Sequence, residues 1–201
     1  MKPEYVGLWR KISEFALDLP GVEFPFSARL AKENEWRKDF AERAIEEYKK
    51  FAFLAVAAGH PVSPSDNVDQ VWHLHLTYTK NYWKEFCGET LGRPLHHNPT
   101  EGGSREREKF EDWYQKTLDS YRKHFDAEPP RDIWPEPEEK RARHHKFVRV
   151  DKGANWVIPK PRLTKAARML FAVGAVGAMA AGCSAVVSRG ANPLDWMGPD
   201  F

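Results

Sequence analysis

The sequence predicts an all-α fold, a compact bundle of four main helices with a long histidine-containing loop. Apolar residues recur at steps of three and four between residues 5 and 125, the spacing of one buried helical face. No stretch shows the period-two alternation of a half-buried strand. With 41% hydrophobic and 13% aromatic content in 201 residues, the chain can bury one sizeable core.

Two apolar stripes predict the first two helices. The first stripe runs from Tyr5 to Leu19, and Pro20-Gly21 ends it. A short turn through Pro25 and Ser27 leads to the second, which runs from Trp36 to Ala55. Gly59 followed by Pro61 closes this second helix.

The third predicted helix begins after Pro64, where Ser65 or Asp66 can serve as the N-cap. Its apolar stripe continues to Phe86 and ends near Cys87-Gly88. The first half of this helix holds two histidines, a tryptophan and two acids. It is therefore the segment richest in groups that can carry chemistry.

A long loop at 89–103 separates the third helix from the fourth. Three glycines and two prolines interrupt it beside the pair His96-His97, and its length indicates either the lining of a site or a loose segment. The fourth predicted helix begins at Ser104 and has the most regular stripe, which extends to Phe125.

Histidines and an acid at helical spacing predict a divalent-metal site between the third helix and the loop. Asp69 and His73 are four residues apart and share one side of the helix, and His96 or His97 would complete the site. Mixed nitrogen and oxygen ligands suit zinc or a similar ion. His75 lies roughly 200° around the helix from His73, so it joins only if the helix is distorted or as an outer partner.

Each of these residues also has a structural interpretation. Asp69 can compensate the helix dipole, His73 and His75 can be satisfied structural histidines, and His96-His97 can form an ordinary polar turn. Two other functions are therefore alternatives to simple metal binding. One is a metal-free interaction module, and the other is a metal-dependent hydrolase that acts through a metal-bound water. No serine-histidine-acid set, phosphate-binding glycine loop or nucleotide fingerprint is visible.

The charge is divided along the chain. Lys140 to Arg168 hold ten Lys or Arg and one acid, a net charge of +9, whereas residues 1–139 carry −6 and the tail −1. An acidic body is a poor partner for nucleic acid. Along the whole chain we predict four segments. They are a helical domain at 1–135, a basic juxtamembrane linker at 136–165, a transmembrane helix at 166–189 and a short tail at 190–201.

The transmembrane prediction depends on Met169 to Val187, nineteen residues without a charge, about 28 Å as a helix. Alanine and glycine dominate this stretch and favour insertion weakly, so a buried helix is the alternative. Lys160, Arg162 and further basic residues precede the stretch, which predicts a single-pass protein with a cytoplasmic N-terminal domain. The basic segment is also expected to contact anionic lipid.

The motif Val68-Asp-Gln-Val-Trp-His-Leu-His-Leu76, with Tyr82, Cys87 and Leu95-His-His97, resembles the domain of glycine-rich domain-containing proteins. The resemblance covers approximately residues 24–135, and the tail at 192–201 resembles the segment after the first membrane helix in bacterial members. It implies a membrane protein whose domain is largely of unknown function. Those members usually continue into further membrane helices, so the resemblance implies that this chain is a short form or a truncated product.

Overall fold

The structure is a computed structural model, and it describes residues 2–98, 103–142, 154 and 156. Across these residues the chain forms six α-helices and one π-helix, with no strand, so the predicted all-α class is confirmed. Seven helices in this part of the chain replace the predicted four. They are α1 (Pro3–Glu14), α2 (Phe26–Asn34), α3 (Lys38–Ala57), α4 (Asp66–Thr77), the π-helix Asn81–Leu91, α5 (Ser104–Phe125) and α6 (Pro137–Ala142).

The first difference from the prediction is that α1 ends at Glu14, five residues before Leu19, because Phe15 adopts an extended conformation. The chain then turns into an additional helix, α2. The Asp18 carboxylate accepts hydrogen bonds from the Ser27 backbone N–H at 2.7 Å and the Ser27 hydroxyl at 2.6 Å. Asp18 therefore satisfies a donor in the first turn of α2 that has no partner within the helix.

The second difference is that the long third helix is interrupted. Helix α4 ends at Thr77, and the chain continues from Asn81 to Leu91 as a π-helix. The Thr90 hydroxyl donates to the carbonyl of Glu85, five residues earlier, at 3.0 Å. The apolar residues of this segment still reach the core, so their sequence spacing could not distinguish a π-helix from an α-helix.

Helix α3 is the centre of the bundle and contacts α1, α2, α4 and α5. Its 20 residues carry Tyr48, Phe51, Phe53 and Leu54, each at most 1% exposed. Each such side chain contributes about 1.5–3 kcal/mol when it is fully buried. The burial of α3 thus fixes the positions of the helices around it, including α4.

The chain divides into two units, residues 1–146 and 147–201, and the predicted linker at 136–165 begins within the first unit. Helix α6 lies in that unit, where Lys140 donates from Nζ to the carbonyl of Pro64 at 2.8 Å. In the second unit the structure describes Ala154 and Trp156, and Trp156 is 94% exposed.

The predicted membrane span at 166–189 lies outside the described residues. Among the helices that the structure does describe, none is long and apolar enough to cross a bilayer.

Candidate metal centre

Helix α4 presents Asp69 and His73 on one edge of the bundle. Its N-cap is Ser65, whose hydroxyl accepts a hydrogen bond from the Val68 backbone N–H at 3.3 Å. The opposite face of α4 is buried through residues that include Val68, Val71 and Trp72. That burial fixes the rotation of the helix and turns Asp69 and His73 outward together.

The loop after the π-helix is held against α4 by two linked hydrogen bonds. The Trp72 indole N–H donates to the Tyr82 hydroxyl at 2.8 Å, and that hydroxyl donates to the carbonyl of Leu95. The loop begins at Gly92, whose φ of 70° lies in the left-handed region that favours glycine. Together these features bring a residue further along the loop, His97, to the edge of α4.

Asp69, His73 and His97 meet in one cluster. His97 Nε2 lies 2.7 Å from Asp69 Oδ1, and His73 Nε2 lies 3.6 Å from Asp69 Oδ2. The two imidazole rings have centroids 4.5 Å apart. One ligand atom from each residue can be chosen so that all lie within 4.8 Å of one another.

These separations are compatible with a tetrahedral divalent ion. Ligand atoms about 2.1 Å from zinc are roughly 3.4 Å from each other, so the cluster needs only local side-chain adjustment to surround one. His97 and Asp69 are 19% and 28% exposed, whereas the His73 side chain is 52% exposed. Two of the three groups are thus sheltered, and the cluster is open to water at His73.

The His97 ring also packs against Trp72, with centroids 4.4 Å apart. Trp72 is 6% exposed and lies on the buried face of α4. The His97 ring therefore packs on the Trp72 indole, while Asp69 hydrogen-bonds to its Nε2 nitrogen. Such a packed and hydrogen-bonded position lowers the entropy that the side chain would lose on binding an ion.

His75 lies elsewhere, in the core, and belongs to a different network. The Asn81 amide donates to Glu85 at 2.6 Å, which turns its Oδ1 toward His75 Nε2 at 2.8 Å. His75 Nε2 then donates, and Nδ1 accepts from the Tyr48 hydroxyl at 2.9 Å. Burial lowers the pKa of His75 to about 4. Its position confirms neither a ligand nor an outer-partner role, because both ring nitrogens already have partners inside the bundle.

His96 is exposed and lies outside the cluster, with its ring 5.5 Å from that of Trp83. Of the two loop histidines that the sequence left as alternatives, the structure therefore brings His97 to Asp69. The sequence could not choose between them, because the choice depends on how the loop is held by Tyr82.

Sequence reasoning missed Lys140, which contacts the residue before the α4 N-cap, because residues 136–165 are predicted to be a linker. The missed signal is Pro137 followed by Glu138 and Glu139. Proline at the first helical position and acids in the first turn indicate a helix start. The structure begins α6 at that proline.

A comparison with protein-family models matches residues 23–117, just under half of the chain, to the UCP032817-like family. The matched region extends from the approach to α2 into α5 and includes the whole Asp69, His73 and His97 cluster. The expected resemblance to glycine-rich domain-containing proteins was therefore wrong, since the family found is a different one. Comparisons with curated proteins and with solved structures gave no match.

Proposed function

We propose that the helical domain binds one divalent cation, zinc or a similar ion, through Asp69, His73 and His97. The observation that carries the proposal is the convergence of an acid and an imidazole from α4 with a loop imidazole, all within 4.8 Å. One carboxylate oxygen and two imidazole nitrogens form a typical ligand set for such an ion. His97 is 28 residues from Asp69 in the chain, so the cluster depends on the tertiary fold.

Three protein ligands leave a fourth position for water, as in catalytic zinc sites. The 52% exposure of His73 leaves that side of the cluster accessible to a small molecule. This exposure favours a metal-dependent hydrolase as a second candidate function. In that case the ion would supply an activated water, and Asp69 and the two histidines would hold the ion at the edge of α4.

Metal content tests the proposal directly. We expect the full chain, purified without a histidine tag, to contain about one zinc per chain, as measured by elemental analysis. His97→Ala should weaken zinc binding by about tenfold or more, because a protein ligand is lost. His73→Ala should act in the same direction. Titration with zinc against a competing chelator measures these changes.

His96→Ala is the matched control, because it removes an exposed imidazole from the same loop outside the cluster. We expect it to bind zinc as the unmodified chain does. Equal zinc binding by the unmodified chain and by His97→Ala would refute the proposed ligand set. Absence of zinc binding by the unmodified chain would favour the metal-free interaction module, in which the Asp69–His97 hydrogen bond simply fastens the loop.

We also propose that residues 166–189 anchor this domain to a membrane as a single-pass protein. The part of the basic segment at 136–165 that follows α6 would lie against anionic lipid, with the helical domain in the cytoplasm. The proposal is supported by the uncharged stretch from Met169 to Val187 and by the net charge of +9 between Lys140 and Arg168. It assigns no nucleic-acid partner to the acidic domain.

Membrane extraction tests the anchor. We expect the chain to stay in the membrane fraction after an alkaline carbonate wash. Val173→Arg combined with Val176→Arg should release it, because each arginine near the middle of a span costs about 2.5–3.5 kcal/mol of insertion free energy. Release of the unmodified chain by carbonate would exclude the transmembrane helix.

A further inference from the structure

Lys140 lies at the start of the helix that carries the proposed metal ligands. Its Nζ donates to the carbonyl of Pro64 at 2.8 Å, and Pro64 immediately precedes the α4 N-cap, Ser65. The same ammonium lies 4.0 Å from the centroid of the Tyr114 ring on α5. Lys140 therefore connects α6 to α4 and α5 through a single half-buried cation.

The acids of the first turns of α4 provide negative charge around this cation. Burial lowers the pKa of Lys140, and the charges of Asp66 and Asp69 oppose that shift. The Asp69 backbone N–H donates to the carbonyl of Ser65 at 2.9 Å, so Asp69 lies one helical turn beyond the residue that follows Pro64, whose carbonyl binds the ammonium. At this separation the carboxylate attracts the ammonium through its charge. Asp69 is also the centre of the metal cluster.

We propose that metal binding at Asp69 and docking of α6 through Lys140 oppose each other. This inference concerns regulation of the proposed site, and it depends on the proposed function. An ion held by Asp69 cancels negative charge that attracts Lys140 and adds positive charge to the same helix. Because coupling between two binding events is reciprocal, docked Lys140 weakens metal binding, and bound metal weakens the docking of α6.

Zinc titration of full-length variants tests the coupling. Lys140→Met removes the ammonium but keeps an unbranched apolar stem, so it should bind zinc about fivefold more tightly than the unmodified chain, at the lower end of typical allosteric coupling. Lys140→Arg keeps the charge and should bind zinc like the unmodified chain. Lys116→Met is the control for total charge, because Lys116 is an exposed lysine paired with Asp112 on α5. It should leave zinc affinity unchanged.

Hydrogen exchange on the unmodified chain gives a second test that does not depend on how well a variant folds. Zinc should accelerate amide exchange in α6 while slowing it around His97. The affinity ratio between Lys140→Met and the unmodified chain should also shrink at high salt, because mobile ions screen the partly exposed charges.

The possible outcomes separate the two proposals. If the unmodified chain binds zinc through Asp69 but Lys140→Met binds it equally or more weakly, and α6 exchange does not rise with zinc, the coupling is refuted while the metal site stands. If the unmodified chain does not bind zinc at all, the proposed function fails and the coupling fails with it.

Discussion

Replacing Trp134 by alanine should lower the free energy of unfolding of the helical domain by about 3–5 kcal/mol, the range for truncating a large buried aromatic side chain. Trp134 is 2% exposed and packs beside Tyr114 and Tyr121, with ring centroids 6.1 and 6.2 Å away. Its indole N–H also donates to Glu47 Oε2 at 2.9 Å. The substitution therefore opens a cavity and removes a hydrogen bond from a buried carboxylate.

Glu47 makes the loss of that hydrogen bond costly. This residue is 6% exposed, and its other oxygen accepts from Lys50 at 2.9 Å and from the Tyr121 hydroxyl at 3.2 Å. A buried charge needs all of its partners. Trp134→Phe keeps most of the ring but lacks the N–H, so we expect it to cost about 1–3 kcal/mol for the lost hydrogen bond.

Urea denaturation of the full chain in mild detergent, monitored by circular dichroism, measures both changes. Trp156→Ala provides the control, because Trp156 is 94% exposed and its removal should leave the unfolding free energy unaltered. A loss below about 1 kcal/mol for Trp134→Ala would show that the indole does not anchor the end of the domain to α3.

The second large effect is a loss of stability on mild acidification, caused by His75. The folded chain keeps this imidazole neutral, with its pKa lowered from 6.5 to about 4 by burial. The unfolded chain binds a proton below pH 6.5, whereas the folded chain does so only near pH 4. As far as His75 is concerned, the free energy of unfolding therefore keeps its full value above pH 6.5. It falls as the pH drops from 6.5 toward 4, by roughly 2 kcal/mol between pH 7.5 and 5.

His75→Gln isolates this contribution, because glutamine can still hydrogen-bond but does not titrate in this range. Whatever its stability at pH 7.5, the variant should lose roughly 2 kcal/mol less than the unmodified chain between pH 7.5 and 5. Taking the difference between the two chains removes the contribution of other groups, including His124, whose pKa is also lowered, mainly by burial. If the free energy of unfolding changed with pH in parallel for the two chains, His75 would not be kept neutral by the fold.

Two features of the candidate site could be predicted from the sequence. Local spacing alone placed Asp69 and His73 on one side of a helix, because residues four apart are neighbours on any α-helix. The same geometry separated His75 from His73, and the structure buries His75 in the core. The choice of His97 over His96 needed the loop conformation, which Tyr82 holds through the carbonyl of Leu95.

The fold shows the same division. Periodic apolar stripes predicted the all-α class, and Pro64 with the N-cap candidates Ser65 and Asp66 predicted the start of α4, because both signals depend on neighbouring residues along one helix. The early end of α1 at Glu14, the π-helix from Asn81 to Leu91 and the short helix α6 could not be read from those stripes. Each is stabilised by a contact distant in sequence or by a local geometry that three- and four-residue spacing does not distinguish.

The sequence by itself thus determined a helical domain with an acid and an imidazole on one helix edge, together with the charge division toward the C-terminus. Only the tertiary structure decided which loop histidine joins them and that Lys140 lies at the start of the same helix. The physical reason is that periodicity records which face a helix buries. The packing of α3 and the long-range hydrogen bonds determine which groups from other segments contact α4 away from its buried face.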